Sequence, residues 1–433
     1  MTVRLPVGQH MLAVAAIAPL LLAQGALAAE DTEAKLLADL RLRFESVSDR
    51  NCAACAGRDA TALTLRARIG YDTGTWQGLG ALIEIDQVWS LGDGEYNSTR
   101  NGEALYPVVA DPVLTQLNRL QISYVSEFDT VFTLGRQRLA FGNQRFIGNV
   151  GWRQHEQTFD AFSIVNTSVE GLTLTYAYIS RVNRIFGDDN PVPTSGQAPH
   201  FDSHSHVFDV AYTGWKGVKL EAYGLMLDLA QTGPSPLTAA RLSTSTWGLR
   251  AEGKFEASPG LNVLLNAEYA HQNEYSDNPL SIDLSYCLAE AGLSWKGATL
   301  LAGYQSLEGD GTVGFSTPLA TGHAFNGWAD IFLTTPTNGL DAAYVKLAYA
   351  VPDAFGLKSV GGALNYYDFE TQRTGVSLGS EVDVQLEVAI DKQFTVLLKY
   401  AGYRGDGALT GAGGWTPAAR DKTVAWAVVS FKY

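Results

Sequence analysis

The feature that most constrains the fold is a strict two-residue alternation of apolar and polar side chains, recurring in segments of about ten residues. One such segment spans 246–256 and another 381–391, where the apolar face is Val382, Val384, Leu386, Val388 and Ile390. A period of two places successive side chains on opposite faces of a β-strand. No convincing amphipathic helix accompanies these segments, so the sequence predicts an all-β chain.

The segments number about eighteen, and a single sheet of that size has to curl or close. Their connections alternate between short and long, with eight short and nine long ones, and both chain termini fall on the short side. A soluble sandwich also alternates, but tight turns at one end and long loops at the other are typical of outer-membrane barrels. We therefore predict one transmembrane antiparallel β-barrel of about eighteen strands, with short periplasmic turns and long extracellular loops.

The first residues predict export. Arg4, an apolar stretch over 11–22 and the small-residue site Ala26-Leu27-Ala28 form a secretory signal peptide over 1–28, cleaved after Ala28. The barrel then forms one domain over 29–433, with strands from about 36. Beyond residue 28 no run of about 18 apolar residues exists to make a membrane helix. The net charge of -14 also disfavours a nucleic-acid partner.

Aromatic residues mark the expected membrane boundary. The turn signature Trp-x-Gly recurs at 76–78, 215–217 and 295–297, where indoles form an interfacial girdle; the alternative is a hairpin tryptophan of a soluble β-protein. The last segment alternates apolar residues and closes on Tyr433, an ending that resembles the strand by which barrel-assembly machinery recognises its clients. The predicted partners are this machinery, outer-membrane lipid and a small hydrophilic solute, in the outer membrane of a Gram-negative bacterium.

The lumen-facing half of each strand carries a channel's chemistry. Of the 15 basic residues between 29 and 200, 14 are arginines, whereas only five of the 15 beyond 200 are. The alternation predicts pore-lining basic residues at Arg41, Arg43, Arg66, Arg68, Arg119, Arg136 and Arg138, and pore-lining acidic residues at Glu84, Asp86, Glu252, Glu268, Glu381, Asp383 and Glu387. Either this arginine wall faces later acids and orients anionic or zwitterionic solutes, or the charges are ion pairs that fill and stiffen the lumen.

Two long loops could narrow such a lumen. The loop 142–154 holds the constriction candidates Arg145, Trp152 and Arg153, and either folds into the pore or caps the surface. The loop 308–339 has a length that suits a lid or plug. In a third loop, Cys52 and Cys55 predict a local disulfide, because a thiol pair outside the cytoplasm tends to oxidise.

Polar residues at spacing two, His200, Asp202, His204 and His206, would share one face of a strand. Consecutive members lie about 7 Å apart, too far for one metal ion unless the chain bends. A polar strand entrance is therefore favoured over a metal site. No nucleophile is placed beside a base, so neither catalytic residues, nor a metal, nor a cofactor are predicted, although a hydrolase built on 200–206 stays an alternative.

Five segments, at 106–112 (YPVVADP), 134–138 (LGRQR), 142–154 (GNQRFIGNVGWRQ), 157–161 (QTFDA) and 325–330 (FNGWAD), resemble the alginate-export family of outer-membrane porins. The resemblance implies an eighteen-stranded barrel and, in the exporter that gives the family its name, an arginine-rich lumen that passes a polyanion. The function expected is diffusion of small hydrophilic, anionic or zwitterionic solutes. The alternatives are export of an anionic polysaccharide such as alginate, the hydrolase, and a structural barrel with a blocked lumen.

Overall fold

A computed structural model describes residues 32–50, 52–187, 197–230, 236–406 and 421–433. The predicted signal peptide lies outside these ranges. All strands join one antiparallel sheet that closes on itself, because β1 pairs with both β2 and β19. Of the nineteen strands, β10 has two residues and continues β9 along β8. The barrel wall therefore has eighteen full strands, and the predicted transmembrane β-barrel is confirmed.

The strands are β1 Lys35–Asp49, β2 Ala60–Trp76, β3 Leu79–Ser90, β4 Thr115–Ser126, β5 Thr130–Gln137, β6 Thr158–Asn166, β7 Leu172–Asn183, β8 His200–Tyr212, β9 Val218–Met226, β10 Leu229–Ala230, β11 Thr244–Ser258, β12 Leu261–Glu274, β13 Asp283–Trp295, β14 Ala298–Leu307, β15 Leu340–Pro352, β16 Ser359–Glu370, β17 Ser377–Ala389, β18 Phe394–Gly405 and β19 Lys422–Lys432. In the loops that the structure describes lie one short α-helix, α1 Pro236–Ala240, and two 3-10 turns, Ala53–Cys55 and Gly322–Ala324. Within the described ranges, no helix is long and apolar enough to cross a membrane.

Burial follows the alternation that the sequence shows. In β2, Arg66 and Arg68 are buried, whereas Ile69 and Tyr71 on the opposite face are exposed. The same holds in β17, where Glu381 and Asp383 are buried. The apolar face of each strand is thus outside, where lipid lies, and the polar face is inside.

The short turns share one end of the barrel. Trp76, Trp215 and Trp295 are exposed there to 69%, 58% and 52%, at the level of the predicted girdle. Gly78 has φ +78°, and a Cβ there would lie 2.3 Å from the Val125 carbonyl oxygen, so the turn after Trp76 requires glycine. At the other end the connections are long, with one exception. The loop between β16 and β17 has only six residues, 371–376.

The core lies inside the barrel, at the end with the long loops. Buried side chains of the loops 138–157 and 308–339, among them Phe146, Ile147 and Trp328, pack against inward-facing aromatics of the wall such as Tyr286 and Tyr403. A closed eighteen-stranded wall is too wide for its own side chains to fill. Here the loops occupy part of that space, and this arrangement positions the site.

Candidate functional site: a constriction made by two loops

The loop 138–157 folds into the lumen and does not cap the surface. Gln154 is its anchor: its Oε1 accepts a hydrogen bond from Nε of Arg41 at 3.0 Å, and its Nε2 donates to Oγ1 of Thr64 at 2.9 Å. Its backbone N–H donates to Oδ1 of Asp111, at the end of the loop 91–114, at 2.8 Å. One buried glutamine therefore joins the loop to β1, to β2 and to a second loop.

The loop 308–339 lies against the first loop. Ile147 and Leu319 form a parallel β-bridge, in which the Gly148 N–H donates to the Leu319 carbonyl at 2.9 Å. Oγ1 of Thr321 donates to Oε1 of Gln144 at 2.8 Å. These contacts make the two loops one body across the lumen.

The tip of the second loop docks on the wall. The Ala329 N–H donates to Oε1 of Glu381 on β17 at 2.7 Å. Gly327 sits directly over that carboxylate, since a Cβ would lie 2.4 Å from Oε2 of Glu381, and its φ is +83°. The tip thus depends on a glycine for both its conformation and its approach.

A cluster of aromatic and basic side chains lies where the two loops contact the wall. Trp152 stacks on His323, with ring centroids 4.5 Å apart and an interplanar angle of 2°. Nζ of Lys399, on β18, lies 3.7 Å from the Trp328 ring centroid and 4.3 Å from that of Trp152. A cation over an indole face is favourable, more so when both are desolvated.

His323 is neutral in this cluster. Burial is the main cause that lowers its pKa, to about 3, and the charge of Lys399 acts in the same direction. Its Nδ1–H donates to Oδ1 of Asp330 at 2.9 Å, and its Nε2 accepts from Nζ of Lys399 at 2.7 Å. Burial opposes ionisation of Asp330, but His323 and Arg153 hold its pKa below the usual value. The imidazole therefore connects an anion in its own loop to a cation of the wall.

Inward-facing arginines lie on β1, β2 and β4, and they carry their own counter-ions. Arg66 pairs with Asp39, and Arg119 makes a two-pronged contact with Glu84 at 2.7 and 3.0 Å. The remaining ion pairs are Arg43 with Glu45 and Asp111, Arg68 with Glu84, Asp86 and Glu156, Arg138 with Glu84 and Glu156, and Arg153 with Glu45 and Asp330. Most of the wall's positive charge is thus compensated.

The loop acid at the centre of this network is Glu156. Burial alone would raise the pKa of its carboxyl, yet Arg68 and Arg138 hold that pKa well below its usual range. Glu156 is therefore ionised and locks the loop to the wall.

Two arginines at the constriction, Arg41 on the wall and Arg145 on the loop 138–157, differ from these ion-paired ones. Arg41, half-buried, donates to Gln154 Oε1 and to the carbonyls of Gly151 and Arg153, and in the described ranges no carboxylate lies within ion-pair distance. Arg145 is buried over the Phe325 ring, 4.0 Å from its centroid, and donates to Gln305. Among the described residues, only neutral groups contact these two guanidinium groups.

Arg136 has a different position from the one its spacing predicts. It pairs in register with Leu120, which is 50% exposed, and its neighbour Leu134 is 62% exposed, so all three lie on the outward face. There it holds Asp160 at 2.7 Å. The residue two positions further on, Arg138, follows the end of β5 and turns inward to Glu84 and Glu156.

The predicted acids of the later strands all fall on the inward face. Glu252 and Glu268 both contact Arg250 at 2.7 Å. Glu381 and Asp383 are neighbours under the loop tip, and Glu387 is half-buried nearer the short turns.

A second acidic group, which the spacing did not single out, lines a small cavity between the loop 138–157 and β8–β12. Asp209 and Glu221 border it together with Phe141 and Tyr223. Lys219 pairs with Glu221 at 2.7 Å, whereas no cation in the described part of the chain lies within ion-pair distance of Asp209. In strand order, β8 and β9 lie seven and eight strands from β1, nearly opposite Arg41 in an eighteen-stranded wall.

Two other predicted features have clear positions. Cys52 and Cys55 are joined in a disulfide in the loop 50–59. His204 and His206 lie outward, whereas Ser203 and Ser205 are buried on the inward face of the same strand. The described residues contain no group of three potential metal ligands.

The comparisons agree with this architecture. A family model described as alginate export matches residues 33–300, which is more than half of the chain. The chain belongs to the alginate export family. For this family member, a search of curated protein sequences gave no significant match. The family match spans β1 to β13 and the loop 138–157, whereas the loop 308–339 lies beyond it.

Solved outer-membrane structures share the fold of this alginate export family member. OccAB2 of Acinetobacter baumannii is 12% identical, with a TM-score of 0.68 over 92% of this chain and 98% of that chain. OccAB4 of the same species is 16% identical, with a TM-score of 0.68 over 93% and 99%. OpdK of Pseudomonas aeruginosa, solved with vanillate, is 14% identical, with a TM-score of 0.65 over 92% and 98%.

Proposed function

We propose that the protein is an outer-membrane channel through which small hydrophilic solutes diffuse, with a preference for anionic or zwitterionic ones. The observation that carries the proposal is the constriction: two loops tied to each other and to the wall narrow a barrel that would otherwise be a wide aqueous pore. A narrowed polar lumen selects solutes by size and charge.

The charge preference rests on Arg41. Arg41 is half-buried at the constriction, and its guanidinium contacts only neutral acceptors in the described ranges, so its charge is available to a passing carboxylate. Asp209 and Glu221, on the nearly opposite wall, offer carboxyl oxygens that can accept hydrogen bonds from an ammonium group. A zwitterion can contact Arg41 and these oxygens at the same time. OpdK, a structural relative solved with vanillate, supports a small organic solute as the class to test first.

The decisive experiment is the reversal potential of the purified protein in a planar bilayer under a salt gradient, compared with Arg41→Gln. Glutamine keeps a donor for the loop carbonyls but removes the charge. We expect anion preference to fall in this variant. Arg41 is better suited to the test than Arg66 or Arg68, because each of those two forms an ion pair, with Asp39 and with Asp86, that its removal would break.

A matched control is Arg136→Gln, which removes an arginine from the outward face and should leave selectivity unchanged. Equal reversal potentials for wild type and Arg41→Gln would contradict the proposed role of Arg41. An Asp209→Asn variant tests the second half of the proposal, because it should weaken block by zwitterionic solutes more than block by simple anions.

Export of an anionic polysaccharide is the second candidate, and the family match favours it. A polymer needs a continuous opening, so this function requires the two loops to leave the lumen together. Release of labelled oligouronate from proteoliposomes would support export. Retention of oligomers that are too large to pass the constriction would oppose it.

The hydrolase alternative finds no support in the 200–206 segment. The Tyr178 hydroxyl is hydrogen-bonded to Nδ1 of His204 at 2.9 Å, and Ser205 lies on the opposite face of the strand. A serine hydroxyl and an imidazole on opposite faces cannot act as nucleophile and base. An assay of lipid release by the purified protein, with His204→Phe as control, tests this directly.

A further inference from the structure

The outward face of β7 and β8 carries a ladder of rings, which we call the histidine–tyrosine ladder: His204, Tyr178, His206, Tyr176 and Phe208. The Tyr178 hydroxyl is hydrogen-bonded to Nδ1 of His204 at 2.9 Å, and that of Tyr176 to Nδ1 of His206 at 3.0 Å. Ring centroids of successive members lie between 5.1 and 6.5 Å apart. Each imidazole is thereby held in a fixed orientation.

The ladder lies at the extracellular boundary of the apolar band. Leu174 and Val210, nearer the short turns, are exposed and apolar, whereas His204 is four residues from the start of β8 at the long-loop end. Long loops are extracellular in such barrels, so this end meets the outer leaflet. Polar groups facing hydrocarbon are costly, which places the imidazoles at headgroup level.

We infer that the histidine–tyrosine ladder binds the phosphate of an outer-leaflet glycolipid headgroup. In the tautomer in which each tyrosine hydroxyl donates to Nδ1, each histidine carries its proton on Nε2 and presents it as a donor. Neither Nε2 has a hydrogen-bond partner among the residues that the structure describes.

The spacing suits an anion of this size. Alternate residues of a strand lie about 7 Å apart. That is too far for one metal ion, but two donors at this separation can bond to oxygens on opposite sides of one phosphate, each at about 2.8 Å. Two imidazole N–H groups can therefore share one headgroup phosphate.

The neighbouring charges on this face do not repel a phosphate. The outward carboxylate of Asp160 is held by Arg136 at 2.7 Å. Asp202 lies directly opposite Arg181 in the β7–β8 pairing. Each carboxylate beside the ladder therefore faces an arginine, which leaves the imidazole donors as the groups that a phosphate meets.

The test is binding of bis-phosphorylated lipid A to the full-length purified barrel in detergent micelles, followed by native mass spectrometry. The variant is His204→Phe with His206→Phe, which keeps the rings and the lipid-facing surface but removes both N–H donors. Loss of two hydrogen bonds to a charged acceptor should weaken binding by about 150-fold or more.

Two controls make the outcome specific. His271→Phe removes another outward imidazole, which pairs with Asp283 at 3.3 Å, and should leave binding unchanged. Dephosphorylated lipid A should bind wild type and the double variant equally. Unchanged affinity of the double variant, an equal loss in His271→Phe, or full displacement of the lipid by equimolar inorganic phosphate would overturn the inference.

Discussion

Gly327→Ala should release the tip of the loop 308–339 from the wall and widen the lumen. An added Cβ would lie 2.4 to 2.6 Å from the carboxylate atoms of Glu381, so that carboxylate has to move and its hydrogen bond from the Ala329 N–H, 2.7 Å long, is lost. Alanine is also strained at the φ of +83° that Gly327 adopts.

The magnitude follows from these two contributions. The left-handed conformation costs an alanine about 1–2 kcal/mol, and a typical intramolecular hydrogen bond contributes about 0.5–1.5 kcal/mol. A combined penalty of about 2.5 kcal/mol lowers the ratio of docked to undocked loop by about 70-fold. Undocked molecules should appear as openings of higher conductance.

Single-channel recording in a planar bilayer is the assay, with Gly356→Ala as matched control. Gly356 has φ +77° in a short turn, but a Cβ there meets no atom within 4 Å. The control therefore carries the conformational strain without the collision. If both variants show the same distribution of conductance levels, the Glu381 contact does not hold the loop, and the reasoning fails.

Three further predictions follow from the same contacts. Because burial lowers the pKa of His323 to about 3, while the ordinary value is about 6.5, docking is fully stable above about pH 6.5 and weakens as the pH falls towards 3. At pH 5 the loss is about 2 kcal/mol, so high-conductance openings should increase there in wild type and not in His323→Gln. A double-mutant cycle of Lys399→Met with Trp328→Leu should give a coupling energy of about 1–2 kcal/mol in thermal unfolding, and additivity would exclude the cation–π contact as a source of stability. Cys52→Ser with Cys55→Ser should leave conductance unchanged, because the disulfide has a sequence separation of only 3 and the backbone hydrogen bonds of both cysteines stay within their own loop; altered conductance would contradict this.

The wall of the barrel could be predicted from the sequence because, within each strand, apolar and polar residues alternate between the outward and the inward face. Thr244–Ser258 and Ser377–Ala389 alternate regardless of what fills the lumen, so strand number and direction follow from local pattern. The short turns could likewise be predicted, because the Trp-x-Gly signature lies within three consecutive residues.

The constriction could not be predicted in the same way, since its contacts join residues far apart in sequence. Gln154 is hydrogen-bonded to Arg41, and Lys399 is hydrogen-bonded to His323, but the spacing of residues along the sequence does not indicate either contact. Arg136 shows a related difficulty: its orientation depends on the pairing of β5 with β4, and the irregular segment around it gives no clear alternation. The compensation of the arginine wall by Asp111 and Glu156 has the same origin, because both acids arrive on loops.

The most direct test of the central claim is the reversal potential of the wild-type protein under a potassium chloride gradient in a planar bilayer. We expect discrete single-channel currents whose reversal potential shows anion preference, because Arg41 lies at the constriction and pairs with no carboxylate among the described residues. A reversal potential that shows cation preference, or a complete absence of current from folded barrel, would contradict it.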